Sequence, residues 1–336
     1  MDSDYEIVRY QDEFASIWDK FLEQTVNGTF LQSRRFLSYH PKDRFEDCSL
    51  LIYDCKKNLV GLCPGAVQIE SGQKVFVSHP GSTFGGLLVS AKNYRALKLI
   101  GMVEALETWL TAENVQAVDM RITPSLFSKE ADDLLEYVLY YRGYQESNEL
   151  STYIDYSNYK VPIESNFSQG KRTEVHKGKK LGFYGKKLQS LEELKAFYEV
   201  LCGNLQKYQV KPVHKLEELQ DFMQSRLREE CEFFGIFLPQ ETEDSLVAGG
   251  MVFYFLPTKV AHTQYLASVT DYSQYSPMTF LYDYLIRTMQ EKGFRKLSFG
   301  ISTEDRGRYL NMGLIRSKES FGSKHCANRK FWKELN

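Results

Sequence analysis

The sequence predicts an α/β protein with mixed sheets, built as two copies of one unit. Three observations carry this. A strand–helix–strand order at 85–122 returns at 263–301, and matching strand pairs precede both stretches. Such order across two halves is the mark of an internal repeat. The chain has 336 residues, 43% apolar and 14% aromatic, enough for two cores at roughly 150 residues per domain.

The elements follow in order. A helix over Asp12–Gln24 opens the first copy, and SLLIYD (49–54) and LVGLCPGAVQ (59–68) read as strands. GGLLV (85–89) is a strand. KNYRALKLIGMVEALETWLTAEN (92–114) is a helix, because Leu97, Ile100, Val103, Leu106 and Leu110 recur at helical spacing. VQAVDMRI (115–122) alternates as a strand and stops at Thr123-Pro124.

The second copy has helices at Leu191–Gln206 and Leu216–Leu227. Its strands are FFGIFL (233–238), LVAGGMVFYF (246–255) and TQYLASV (263–269). SPMTFLYDYLIRTMQEKG (276–293) is a helix with Ser276 as N-cap, Pro277 in the first turn and Gly293 at its end. FRKLSFGI (294–301) is the returning strand. Leu87 matches Leu266, Asn114 matches Gly293 and Ile122 matches Ile301, all at an offset of 179, while 59–68 matches 246–255 at 187. The copies span 1–160 and 165–336.

Composition excludes several classes. Net charge is −2, so no global field draws nucleic acid or an anionic membrane. No run of 18 apolar residues predicts a transmembrane helix. The acidic, polar start MDSDYEIVRYQ is no secretory signal, so a cytoplasmic protein is expected. The six cysteines form no C-x-x-C pair and no His-x-x-x-His accompanies them. They read as buried, reduced thiols without a metal. No Walker loop and no Ser/His/Asp order stands out.

One stretch is strongly charged. KRTEVHKGKKLGFYGKK (171–187) holds seven Lys/Arg and one Glu. It is either a solvated face or a contact for a phosphate-bearing ligand, in which Arg172 and Lys177 are candidate binding residues.

Three features of the second copy resemble the GNAT-fold acyltransferases of the FemAB type, double-domain relatives of the N-acetyltransferases. They are Arg172-x-x-Val175-x-x-Gly178-x-x-Leu181-Gly182, Ser276-Pro277-Met278, and Gly313-Leu314-x-x-Ser317-Lys318-x-x-Phe321-Gly322. Ser317 stands where that family often has an aromatic residue. In the first copy, Ser78-His79-Pro80-Gly81-Ser82-Thr83-Phe84-Gly85-Gly86-Leu87 is similar to a segment of GNAT-like proteins encoded beside surface-polysaccharide genes. The long helical hairpin frequent in the FemAB ligases is absent, as is the glycine-rich pyrophosphate loop of simple acetyltransferases.

The resemblance implies a tandem duplicated GNAT (acyl-CoA N-acyltransferase) fold, with a splayed strand pair that takes the donor. It implies transfer of an acyl group from a thioester, acyl-CoA, to an amine or hydroxyl of a cell-envelope or polysaccharide precursor, with no permanently bound cofactor and no DNA partner. Two alternatives stay open: an aminoacyl-tRNA donor, and a non-catalytic binding module of degenerate GNAT fold. Ser276, Met278, Thr279 and Phe280 would hold the donor's pyrophosphate at a helix N-terminus. Lys318 would meet a phosphate or a developing oxyanion. Tyr265 would protonate the leaving group and His79 would be a general base. Arg34, with Arg35 and His40, would line a ligand groove.

Overall fold

The computed structural model describes residues 4–40, 44–130, 132–207, 209–242 and 244–335. The chain divides into two compact units. The first runs to Glu149 and takes back the chain from Ala327; the second is Leu150–Cys326. These bounds differ from the sequence reading at both ends. Residues 150–160 fold with the second unit, and those from Ala327 with the first.

In the second unit, strands Tyr184–Lys187, Cys231–Leu238, Ser245–Phe255 and Val260–Ser268 lie side by side, each antiparallel to the next. Lys296–Ile301 joins Val260–Ser268 in parallel, and residues 151–155 pair antiparallel on its far side. A parallel pair needs a crossover, supplied by helix Pro277–Glu291. Its first residue is proline, which leaves no N–H to satisfy. Phe280, Leu281, Leu285, Ile286 and Met289 recur at helical spacing and are all buried. The helix stops at Gly293, whose φ is +77°, and the Phe294 N–H returns to the Met289 carbonyl at 3.0 Å.

The first unit holds a hairpin of Gly65–Glu70 and Gln73–Ser78. It turns on Ser71 and Gly72, both at positive φ, the backbone that tight hairpins need. Gln73–Ser78 pairs in parallel with Ala117–Arg121, with helix Ala96–Ala112 in the crossover. Residues 330–334 flank Ala117–Arg121 antiparallel. A second sheet orders Tyr5–Arg9, Leu50–Asp54, Leu59–Cys63 and Leu88–Val89. Pro64 divides 59–68 between the two sheets, since proline has no N–H to continue a ladder. In the crossover helix Leu99, Val103, Leu106 and Leu110 are buried, whereas Leu97 is 84% exposed.

The repeat is therefore real in topology but differs in alignment from the sequence reading. The strand that enters the first crossover is Gln73–Ser78, not 85–89; Leu88–Val89 belongs to the second sheet. The offset of 179 holds from the helix end onward. Asn114 has φ +59°, and the Val115 N–H returns to the Leu110 carbonyl at 2.9 Å, as at Gly293.

Candidate functional site

The second unit's parallel pair is short. Ladder pairing joins Val260 to Lys296, Ala261 to Leu297 and His262 to Ser298, and then ends. Each strand is irregular at its next step. Thr263 lies opposite Val252 and Tyr265 opposite Met251, so Gln264 is an extra residue in the register of its strand. Ser298 lies opposite Tyr153 and Gly300 opposite Thr152, so Phe299 is an extra residue in the same way. An extra residue bends its strand and sharpens the twist, so the two strands part. Gly300 sits at φ +71°, which glycine adopts without strain.

The bulge also re-aims side chains. Val252 and Met251 point to opposite sheet faces, so their partners Thr263 and Tyr265 do too. Tyr265 therefore shares a face with His262, whose partner is Phe253. The buried His262 places Nδ1 3.0 Å from the Ser298 hydroxyl. Burial first, and then the Lys318 ammonium, hold its imidazole down to about 4.

Lys318 lies on helix Met312–Glu319, which Asn311 caps through the Leu314 N–H. It is 2% exposed, not a flexible surface lysine. Its ammonium donates to the carbonyls of Gly300, at 3.0 Å, and Ile301, at 2.7 Å. Burial brings it down to about 8. Lys318 thus ties down the end of the strand that borders the opening. The rest of its motif is structural: Phe321 is fully buried against Phe167, Tyr282 and Phe299. Gly322 has φ +76°, and a Cβ there would sit 2.9 Å from the Asn166 carbonyl.

Tyr265 is half-buried, and its hydroxyl lies 2.7 Å from His214 Nδ1. Burial pushes the phenol up to about 12, while backbone hydrogen bonds at His214 and Val213 pull the other way. His214 escaped the sequence reading. It follows Lys211-Pro212 in a loop, and only the fold brings it to a strand 51 residues on. His262 was missed as well, because it reads as one residue in an apolar run.

The crossover helix N-terminus is largely closed. Pro277 has no N–H, and the Thr279 and Phe280 N–H groups already bond to the Ser276 carbonyl at 3.0 and 3.3 Å. Of the donors expected for a pyrophosphate, Met278 N–H is the one not used in these bonds. Ser276 takes φ +53° and its side chain caps nothing. The Thr279 hydroxyl meets Lys171, 2.9 Å, and Glu174. Phe280 is buried edge-on to Phe183. This corrects the expectation of an open phosphate cradle at Ser276–Phe280.

Helix Gln169–Lys180 does the covering. Its Val175 and Gly178 are buried, and a Cβ on Gly178 would come within 2.7 Å of Phe280. The basic stretch is also more neutral than its composition implies. Lys171, Lys179, Lys186 and Lys187 pair with Glu174, Glu164, Glu193 and Glu232. Lys177 donates to the Gln274 carbonyl at 3.0 Å and lies over Tyr275. Arg172 is exposed, and among the described residues its guanidinium has no acidic partner.

The first-unit candidates have structural roles. Arg34 is 8% exposed, ion-paired to Asp47, bonded to the Ser49 hydroxyl at 3.2 Å and stacked 3.5 Å over the Tyr10 ring. It holds the Asp47 carboxyl below its usual range. His79 is 3% exposed and bonds to the Pro80 carbonyl at 2.9 Å; burial lowers its imidazole. Neither side chain is presented to a ligand, because both are consumed in packing.

No family model matches the chain, and no curated protein matches it by sequence. Solved structures do match in fold. FemX superposes at TM-score 0.68 and 12% identity over 98% of both chains. L-PGS from Bacillus licheniformis superposes at 0.61 and 11% identity, over 96% of this chain and 91% of that one. A tandem GNAT protein from the clavulanic acid biosynthesis pathway superposes at 0.58 and 12% identity over 99% of both. The chain therefore has the tandem GNAT fold. Among the described residues, no helix is long and apolar enough to cross a membrane.

Proposed function

We propose that this protein is an acyltransferase whose reaction takes place where Val260–Ser268 and Lys296–Ile301 part. The supporting observation is that parting itself, with Tyr265 and His262 on one sheet face beside it and Lys318 holding the carbonyls of Gly300 and Ile301 at its border. An acyl donor entering there would have its carbonyl held between strand ends, and an amine or hydroxyl would attack it. In this reading Tyr265 would return a proton to the departing atom. A cell-envelope or polysaccharide precursor as acceptor rests on the sequence resemblance at 78–87.

The sequence favoured acyl-CoA as donor. A second reading, an aminoacyl ester of tRNA, draws support from one observation: the crossover helix offers few free N–H groups to a pyrophosphate. Arg172, exposed on the adjoining helix, suits a polyanion. L-PGS, by its longer name lysylphosphatidylglycerol synthetase, is named for a lysyl-lipid product, and this chain shares the fold of both such structures. The test is direct. Radiolabelled acetyl-CoA and aminoacyl-tRNA are each incubated with the protein and a pool of lipid- and nucleotide-linked envelope precursors. Label passing from aminoacyl-tRNA supports the second reading, and label passing from acetyl-CoA supports the first. No transfer from either, with native protein confirmed by calorimetry, overturns the acyltransferase assignment.

A further inference from the structure

The bulge at Gln264 turns Tyr265 to the face on which His214 waits. His214 is 2% exposed. Its ring stands edge-on to Tyr265, with centroids 5.7 Å apart, and edge-on to Phe222 at 5.3 Å. Phe222 is fully buried and opens a π-helical turn, Phe222–Arg226, directly after helix Leu216–Asp221. Such turns are uncommon and frequent at functional sites. From helix Leu191–Gln206, the Tyr198 hydroxyl donates to the His214 carbonyl at 3.4 Å. The imidazole is therefore fixed by one ring, one main-chain contact and the phenol.

We propose that His214 is the positioning residue and proton acceptor of Tyr265, so that the two side chains act as one relay. The inference rests on the acyl-transfer reading and deepens it. As the acceptor's nitrogen or oxygen bonds to the acyl carbon, its proton passes to the Tyr265 oxygen, and the phenol's own proton passes to His214 Nδ1. As the carbon–sulfur or carbon–oxygen bond to the donor breaks, the departing atom takes a proton from Tyr265, which recovers one from His214. The proton lost by the acceptor ends on the leaving group, and both side chains return to their starting forms. Tyr265 alone is a poor base at neutral pH, since burial raises its phenol. An imidazole in contact removes the need to form a free phenolate. The titratable groups facing the pair are Tyr198 on helix Leu191–Gln206 and Glu218 on helix Leu216–Asp221, both of which act on Tyr265.

The experiment uses the full chain as wild type, His214→Gln, Tyr265→Phe and the double variant. Nitrogen NMR of labelled imidazoles should show His214 Nδ1 as an unprotonated acceptor whose signal shifts in Tyr265→Phe. With whichever donor supports transfer, His214→Gln should lower kcat at least about a hundredfold at constant KM, within the range of proton-transfer catalysis. It should also alter the pH dependence of kcat, because the relay loses its second proton carrier. The double variant should be no slower than Tyr265→Phe, because groups acting as a unit are not additive. An unaltered pH profile in His214→Gln, or additive losses, overturns the relay and leaves the acyltransferase reading standing. An NMR signal indifferent to Tyr265→Phe overturns it even if a variant folds poorly. A wild type that transfers from neither donor fails the parent reading first, and the relay falls with it.

Discussion

In the first unit, Val75, Phe76 and Val77 pair in parallel with Ala117, Val118 and Asp119. In the second, Val260, Ala261 and His262 pair with Lys296, Leu297 and Ser298. Three rungs in each case, and then the two differ. The first unit's gap is filled by its own chain. Gly85 donates to the Arg121 carbonyl at 2.8 Å and bridges Ile122, and the Arg121 N–H bonds to the Ser78 hydroxyl at 2.7 Å. A Cβ on Gly85 would lie 2.8 Å from the Ser78 Cβ. The 78–87 segment, with its glycines, is thus a plug. In the second unit the pairing between the two parallel strands is not resumed past His262 and Ser298 among the described residues, and each strand carries a bulge against its other neighbour. One unit closes the parting of its parallel strands with its own chain, while in the other the pairing of those strands stops after three rungs.

Four substitutions test that contrast. Lys318→Met should have the largest effect. It frees the strand end bordering the opening, so kcat should fall on the order of 10²-fold at nearly constant KM, as for a misplaced reacting group. The ammonium has an unfolded value near 10.5 and a folded value of about 8. Between those pH values the unfolded chain holds the extra proton, so wild-type stability rises with pH. Against Lys318→Met the gain should reach about 3 kcal/mol, read by urea unfolding at stepped pH. A flat difference would mean that the lysine is solvated.

Gly85→Val comes next. The plug has no room for the side chain, and such overpacking costs about 1–3 kcal/mol. Calorimetry should show the first unit melting earlier while transfer at low temperature persists. Unchanged melting would show that the segment does not fill the gap. His79→Gln is smaller. The folded imidazole is held below its usual value, so the unfolded chain protonates first. Wild-type stability should therefore fall, relative to the variant, as pH drops through about 6.5. Activity should be unchanged; a loss of turnover would restore His79 to the chemistry. Arg172→Ala is smallest for folding, under about 0.5 kcal/mol. Affinity for a polyanionic donor should weaken about fivefold in filter binding, and less at high salt. Equal affinity at low salt would make that helix face a bystander.

What the sequence made legible was what local chemistry dictates. The crossover helix could be read because Pro277, the apolar spacing and Gly293 all agree. Likewise the terminators at Asn114 and Gly293 carried the repeat correctly. Strand Gln73–Ser78 gives no signal to match GGLLV at 85–89, which is the more apolar run, while the true partner is chosen by the sheet. The opening was only implied by resemblance, because bulges at Gln264 and Phe299 exist only against partner strands. Lys318 looked like a surface residue between Ser317 and Glu319; its burial depends on the carbonyls of Gly300 and Ile301. His214 had no local signal, being loop sequence until Tyr265 meets it.

The closing strand of the first unit has a consequence for how the chain is made. Residues 330–334 complete the edge of Ala117–Arg121, and Phe331 is fully buried in that unit's core. A nascent chain that has just finished Arg121 therefore lacks its sheet partner. At about 5–20 residues per second, synthesis delivers that partner only after roughly 10–40 s. During this interval the N-terminal unit waits on the ribosome with an open strand edge and a vacant place for Phe331. The second unit draws only on residues already emerged by Cys326, so the later half is the first able to finish.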